Sequence, residues 1–112
     1  MAKIATDINQ SKLLAEFLPL ESADGYWDFQ VDGYNLIADN LGYYKNDSEI
    51  PCWSLGALLS VLDFPSLTQN KEDEWEVCVP NHKSDEYIEV SADNPVDACV
   101  EMVEKLHELK ML

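Results

Sequence analysis

The chain has 112 residues, of which 22 are acidic and only seven are basic, so its formal net charge is -15 at neutral pH. All seven bases are lysines. A surface this negative repels phosphate backbones and anionic membranes, which argues against direct nucleic-acid binding and against membrane binding. The 46% hydrophobic content and the three tryptophans indicate one folded domain, residues 1–112, and not a disordered acidic tail.

The first predicted element is a helix from Asp7 to about Phe17. Asp7 can cap its first turn, and Gln10, three residues later, is the reciprocal partner of a capping box. Pro19 ends the helix because proline cannot continue the helical hydrogen bonding.

A β-hairpin is predicted next. Residues 27–31 alternate between apolar and polar side chains, Asp32-Gly33 is a type I′ turn pair, and residues 34–38 form the returning strand. A two-residue loop at this turn fixes the register. The predicted facing pairs are Val31 with Tyr34, Phe29 with Leu36, and Trp27 with Ala38.

The middle of the chain predicts a helix and a second strand pair. After a polar connection, a helix runs from about Trp53 to Leu62. It is apolar around most of its circumference, which is typical of a central helix. Two strands then follow, at Trp75–Val79 and Tyr87–Val90, and pair antiparallel.

The last helix has the strongest start signal. Asn94 is its cap, Pro95 suits its first position, and Asp97 in the first turn favours the helix dipole by about 0.3–1 kcal/mol. At 100° per residue, a wide apolar arc lies opposite a narrow acidic stripe. The stripe consists of Asp97, Glu101, Glu104 and Glu108.

The predicted order of elements is therefore α-β-β-α-β-β-α. This is an α+β fold, in which one small antiparallel sheet of two hairpins packs against three helices.

The acidic stripe has two interpretations. Most often such a stripe is the solvated side of an amphipathic helix, and here Lys105 is spaced to pair with Glu101. The alternative is a contact surface for a lysine- and arginine-rich protein. The scarcity of bases favours this alternative, because no lysine occurs from Leu13 to Tyr44 among six carboxylates. The candidate partner-binding residues are Asp97, Glu101, Glu104, Glu108, Asp28 and Asp32.

Catalytic and metal-binding patterns are scarce. Neither Ser54 nor Ser60 lies in a G-x-S-x-G elbow, and no glycine-rich phosphate loop occurs. The cysteines and histidines lack the short spacing of a zinc site, so we predict no metal and no cofactor. The acidic run from Glu72 to Glu76 lacks the spacing of a calcium loop, which favours a solvated loop over a cation site.

The three cysteines are widely spaced and odd in number, which predicts free thiols in a reducing compartment. The sequence shows no signal-peptide pattern and no apolar stretch near the roughly 20 residues of a membrane span. We therefore expect a soluble, cytoplasmic protein. Four further aromatic residues are assigned to the core or its edge, with interface anchoring as the alternative. They are Tyr26, Tyr43, Tyr44 and Trp53.

Several stretches together are similar to one group of proteins. They are KIATDI (3–8) running on to LPLESAD (18–24), PCWSLGALL (51–59), and DNPVDACVEM (93–102) with KLHEL (105–109). They resemble small proteins carried by phages, prophages and mobile elements of gut anaerobes, over most of the chain. These motifs are helix caps and core faces, so the resemblance transfers no catalytic residue. It implies a mobile-element accessory protein without an established activity.

We therefore expect a non-enzymatic protein that presents an acidic surface to a basic protein partner. In a phage context, the more specific hypothesis is a nucleic-acid mimic that inhibits a host nucleic-acid-binding protein. Two alternatives belong to other classes. One is a small metal-dependent enzyme that uses the Glu72–Glu76 region, and the other is a self-assembling phage structural component. The sequence leaves the oligomeric state open.

Overall fold

A computed structural model of the protein describes residues 3–30, 33–38 and 49–112. The strands form two antiparallel sheets, in the order β2-β1-β3 and β4-β5-β6. A single 3-10 turn, Leu20–Ser22, follows the first helix. The elements are α1 (Ile8–Leu14), β1 (Gly25–Gln30), β2 (Gly33–Ala38), β3 (Glu49–Cys52), α2 (Leu55–Val61), β4 (Ser66–Gln69), β5 (Trp75–Pro80), β6 (Tyr87–Ala92) and α3 (Pro95–Glu108).

The α+β class and the order of the predicted elements are confirmed, and the structure adds two strands, β3 and β4. Each added strand extends one predicted hairpin. The two hairpins lie in two separate sheets, whereas the sequence predicted one sheet. β3 contains Pro51, which is tolerated because an edge strand leaves one row of backbone groups outside the ladder. β4 has only four residues and directly follows Pro65, so its alternation is too short to recognise in the sequence.

The predicted register of the first hairpin is wrong by two residues. Trp27 pairs with Leu36 and Phe29 with Tyr34, and Gln30 pairs with Gly33. Gly33 is therefore a strand residue and not the second turn residue. The predicted pairs Val31–Tyr34, Phe29–Leu36 and Trp27–Ala38 are not formed; Val31 itself lies outside the described residues.

The reason for the shift is that β1 is the central strand of its sheet. Gly25 pairs with Ala38 on one side and with Cys52 on the other. Two neighbours therefore determine the register of β1, and the turn sequence alone does not. A shift of two residues, unlike a shift of one, leaves the alternation along each strand unchanged.

The capping box of α1 is confirmed. Asp7 Oδ1 accepts the backbone N–H of Gln10 at 2.8 Å, and Gln10 Oε1 accepts the backbone N–H of Asp7 at 3.1 Å. The helix ends at Leu14, three residues earlier than predicted. Residues 15–17 continue as turns, and Leu18 bonds back to the carbonyl of Leu14 at 2.8 Å.

The second helix is shorter than predicted and is not central. Ser54 is its cap, accepting the N–H of Ala57 at 3.2 Å. Within α2 only Leu58 is fully buried, while the rest of the helix reaches the surface. Trp53, which precedes the cap, is 0% exposed, so its assignment to the core is confirmed. Tyr43 and Tyr44 lie outside the described residues.

The core lies between α3 and the inner face of the second sheet. Val77 and Val79 of β5 and Ile88 of β6 are buried there, on alternating positions as the strand pattern predicts. α1 and α2 complete the cluster with Leu14 and Leu58. No helix in the described ranges is long and apolar enough to cross a bilayer. The fully buried residues of α3 are Val96, Ala98, Cys99, Met102 and Val103.

All three cysteines carry free thiols, as predicted. Burial raises the pKa of Cys52 to about 12, and the charge of Asp24 adds to this effect. Burial alone raises the pKa of Cys99 to about 11. Burial, followed by the charges of Glu89 and Glu76, also raises the pKa of Cys78. Because the thiolate is the reactive form, none of the three is a nucleophile prepared for neutral pH.

Candidate functional site: an acidic face on the last helix

The helix α3 holds the four carboxylates of the predicted stripe on one side. Its start is fixed as predicted, because Asn94 Oδ1 accepts the N–H of Asp97 at 2.8 Å. With a rise of 1.5 Å per residue, the stripe is about 16 Å long. Glu101 and Glu108 are exposed, and Asp97 and Glu104 are half-buried. We call Asp97, Glu101, Glu104 and Glu108 the acidic face.

Asp97 differs from the other three because the fold already uses its charge. Its Oδ1 accepts hydrogen bonds from Lys3 Nζ at 2.7 Å and from Gln10 Nε2 at 2.8 Å. Its Oδ2 accepts the side-chain amide of Asn94 at 2.8 Å. Partial burial by itself would raise the pKa of Asp97, but these hydrogen bonds and the charge of Lys3 together lower it. Asp97 therefore ties the N-terminal segment and α1 to α3.

We expect Asp97→Asn to lower the free energy of unfolding by roughly 1–2 kcal/mol at neutral pH. A hydrogen bond to a charged group contributes about 1.5–3 kcal/mol, and partial solvent exposure reduces that figure here. The lowered pKa means that this stabilisation is present above the ordinary aspartate pKa of 3.8 and is lost as the pH falls through the native value. Urea denaturation at neutral pH and at about pH 3 measures both effects.

Glu108→Gln is the matched control, since it removes one carboxylate from the same helix at an exposed position. It should change stability by less than about 0.5 kcal/mol. The assignment of Asp97 as an anchor is wrong if Asp97→Asn loses as much stability on acidification as the unsubstituted protein does.

The other three carboxylates differ from Asp97 in their ion pairing. Within the described residues, no ion pair shorter than 4 Å involves Glu101, Glu104 or Glu108. The pair of Glu101 with Lys105, which the sequence spacing allows, is not formed. Burial, followed by the charges of Glu104 and Asp97, raises the pKa of Glu101. A bound cation would relieve this repulsion, because an opposite charge favours the ionised form.

Part of the acidic face is concave. Asp97, Glu101 and Glu104 line an open cavity of about 490 Å³, together with Asp93 and Gln10. Glu108 lies one turn further along α3 and is not part of the cavity. The sequence did not identify Asp93 or Gln10 as site residues. For Gln10 there was a signal, because the capping box uses only its Oε1 and leaves Nε2 to reach Asp97.

The two remaining candidate residues belong to the first hairpin. Asp28 pairs with Asn35 and Glu49 in the ladder, and only its backbone position is described. Asp32 lies outside the described residues. Their place in a partner-binding surface therefore stays a prediction.

The Glu72–Glu76 loop is organised by an asparagine. Asn70 Oδ1 accepts the N–H groups of Glu72 at 2.9 Å and Glu74 at 3.0 Å, and its amide donates to Glu76 Oε1 at 3.0 Å. No group of three or more His, Cys, Asp or Glu residues in the described part of the chain is placed to hold a metal ion. That part therefore supplies no assembled ligand set for the metal-dependent alternative.

The acidic face thus combines a helix with a fixed start, an open cavity, and three carboxylates (Glu101, Glu104 and Glu108) that form no ion pair within the described residues. Ionised carboxylates that are not already paired with a cation can form charge-assisted hydrogen bonds with lysine and arginine. Comparison with known proteins adds no further constraint: no protein-family model matches the chain, and no curated protein or solved structure is significantly similar to it.

Proposed function

We propose that this chain is a non-enzymatic cytoplasmic protein that binds a basic protein surface through the acidic face. The observation that supports this most directly is that Glu101, Glu104 and Glu108 share one side of a well-anchored helix without a cation within 4 Å among the described residues. The net charge of -15 adds a long-range field of the same sign. Such a field steers a basic partner toward the protein and raises the association rate.

The spacing of the charges bears on the narrower idea of nucleic-acid mimicry. The acidic face has one carboxylate per roughly 5.5 Å of helix axis, calculated from a rise of 1.5 Å per residue. One strand of duplex DNA has one phosphate per about 3.4 Å. The face alone is therefore sparser than a phosphate row, and mimicry would need neighbouring carboxylates such as Asp93. A basic protein surface of any kind is the broader proposal, and a nucleic-acid-binding groove of a host protein is its specific form.

The proposed contact depends on ionisation of the face. Because the pKa of Glu101 is raised, this residue loses its charge at a higher pH than an ordinary glutamate when the solution is acidified. Binding a lysine or arginine opposes that protonation. Binding of the basic partner should therefore weaken on acidification. It should also weaken at high salt, because the screening length falls to about 3 Å at 1 M.

The test compares two variants of equal charge. The first carries Glu101→Gln, Glu104→Gln and Glu108→Gln. The second carries Glu72→Gln, Asp73→Asn and Glu86→Gln, all at exposed positions outside α3. Each changes the formal net charge from -15 by three units to -12. Immobilised protein is incubated with cell lysate at low salt, and the retained basic proteins are quantified.

We expect the first variant to retain its partner roughly tenfold more weakly, because three surface ion pairs of about 0.2–1 kcal/mol each are lost. The second variant should retain most of its binding. Equal losses in both variants would show that total charge and not the acidic face is responsible, and no retained basic protein at low salt would reject the proposal. Added duplex DNA should displace the partner if its basic surface is a nucleic-acid-binding groove.

A further inference from the structure

A second cavity, which shares no lining residue with the acidic face, lies between the segment that follows α1 and the helix α2. Its volume is about 790 Å³, within the range of about 300–1,000 Å³ that ligand sites have. Phe17 and Leu18 form one wall, and Ala57 and Val61 of α2 form the other. Two carboxylates, Glu21 and Asp24, also line it. We call this the two-carboxylate cavity.

The walls of the cavity are held in place by contacts outside it. The ring of Phe17 stacks on that of His107, with 3.9 Å between centroids and 15° between planes. Ser22, which also lines the cavity, accepts the indole N–H of the buried Trp53 at 2.9 Å. The cavity is therefore built on the core and on the end of α3.

Asp24 is a half-buried carboxylate with a fixed orientation. Its Oδ1 accepts the backbone N–H of Ser54 at 2.9 Å, and its Oδ2 accepts the hydroxyl of the same residue. Both donors are neutral. Among the described residues, no lysine or histidine lines the cavity or lies within 4 Å of the carboxylate of Asp24 or Glu21. The negative charge of the cavity is thus uncompensated from within the described chain.

We propose that the two-carboxylate cavity receives a lysine or arginine side chain of the basic partner, an inference that rests on the proposed function and deepens it. The chemistry of the walls matches that of the ligand. Lysine and arginine bury an aliphatic stem along apolar surface while their charged end meets a polar group. Here Leu18, Ala57 and Val61 provide the apolar surface, and Glu21 and Asp24 provide the anionic end. Charge attraction is also stronger beside apolar walls than in open solvent.

The cavity also accounts for part of the lysine-free segment of the sequence. The stretch from Leu13 to Tyr44 contains no lysine, and it supplies Phe17, Leu18, Glu21 and Asp24. A lysine in place of one of these lining residues would lie beside those carboxylates and would compete with a partner's side chain. Because no described residue that lines the cavity is a cation, its carboxylates are left for a cation from outside.

The experiment uses two small probes and one spectroscopic reporter. The probes are N-acetyl-lysine amide and N-acetyl-norleucine amide, which share an aliphatic stem and differ in the terminal ammonium. The reporter is the indole N–H resonance of Trp53 in a ¹⁵N-labelled sample, because its hydrogen-bond acceptor Ser22 lines the cavity. We expect a saturable shift with the lysine probe and binding several-fold weaker with the norleucine probe.

Glu21→Gln, at an exposed position, should lower the affinity for the lysine probe by up to about fivefold. Glu72→Gln is the matched control and should leave this affinity unchanged. Equal affinity for the two probes, equal effects of the two substitutions, or no shift with either probe would overturn the proposal. The variant with Glu101→Gln, Glu104→Gln and Glu108→Gln separates the two ideas. If this variant no longer retains the protein partner but still binds the lysine probe, the proposals for the acidic face and for the two-carboxylate cavity are both supported. If the lysine probe does not bind, while retention of the basic partner still depends on the acidic face, only the proposal for the two-carboxylate cavity is rejected.

Discussion

Replacing Trp53 by alanine should lower the free energy of unfolding by about 3–5 kcal/mol, the cost of removing a large aromatic from a packed core. Trp53 is 0% exposed and belongs to the cluster formed by α1, α2, α3 and the second sheet. A domain of this size is stable by only about 5–15 kcal/mol, so the substitution removes about a fifth or more of the total. Guanidinium denaturation followed by circular dichroism measures the change without relying on tryptophan emission.

Two further variants keep this prediction testable if Trp53→Ala does not fold. Trp53→Phe retains most of the ring volume but loses the 2.9 Å hydrogen bond to Ser22, and it should cost about 1–2 kcal/mol. Trp75→Ala removes the same side chain from a half-buried position at the start of β5 and should cost less than Trp53→Ala. If Trp75→Ala is as destabilising as Trp53→Ala, the placement of Trp53 at the centre of the core is wrong.

The elements that the sequence predicted well are those with local signals. Asp7 with Gln10, and Asn94 with Pro95, lie within one turn of the helix starts that they define, and both starts are confirmed. The pair β5–β6 was also recognised, because its strands alternate over six residues. The first hairpin shows the limit of such signals. Its register depends on β3, which joins the ladder from Glu49–Cys52 and carries a proline, so no pattern near the turn reveals it.

The sequence predicted which carboxylates form the candidate site, but not that Asp97 has a structural role that the other three lack. Helical periodicity placed the four carboxylates of the acidic face together, as the structure has them. It could not show that Asp97 is bound by Lys3, a residue 94 positions away in the chain, because long-range contacts leave no local trace. The two-carboxylate cavity was invisible for the same reason, since its walls come from residues 17–24 and from α2.

The sequence also did not predict the buried pair of hydroxyl groups on Thr6 and Ser11. Thr6 and Ser11 are both 0% exposed, and their hydroxyls lie 2.8 Å apart. Thr6 Oγ1 additionally accepts the backbone N–H of Trp53 at 3.1 Å, and the Thr6 N–H donates to the Trp53 carbonyl at 2.9 Å. The Thr6 carbonyl accepts the indole N–H of Trp27 at 3.0 Å. One threonine therefore joins the N-terminal segment, α1 and the first sheet to the residue at the centre of the core.

Thr6→Val should accordingly lower the free energy of unfolding by about 2–4 kcal/mol. The buried N–H of Trp53 is left without its acceptor, which costs about 1–3 kcal/mol, and the lost hydrogen bond to Ser11 adds about 0.5–1.5 kcal/mol, because the Ser11 hydroxyl keeps the Thr6 carbonyl at 3.5 Å as a partner. Valine has the shape of threonine, so the loss is assigned to the hydroxyl. Thr6→Ser is the converse control: it keeps the hydroxyl, removes one methyl group and should cost about 1 kcal/mol. Urea denaturation followed by tryptophan fluorescence provides the comparison.

A double substitution tests whether Thr6 and Ser11 act as a unit. Combining Thr6→Val with Ser11→Ala removes both hydroxyls, so the Trp53 N–H is the one member of the network that loses its acceptor. The double variant should therefore be more stable than the sum of the single losses indicates, by about 0.5–3 kcal/mol. Strict additivity would show that the two hydroxyls contribute independently, and a Thr6→Val loss no larger than that of Thr6→Ser would show that the network does not stabilise this junction.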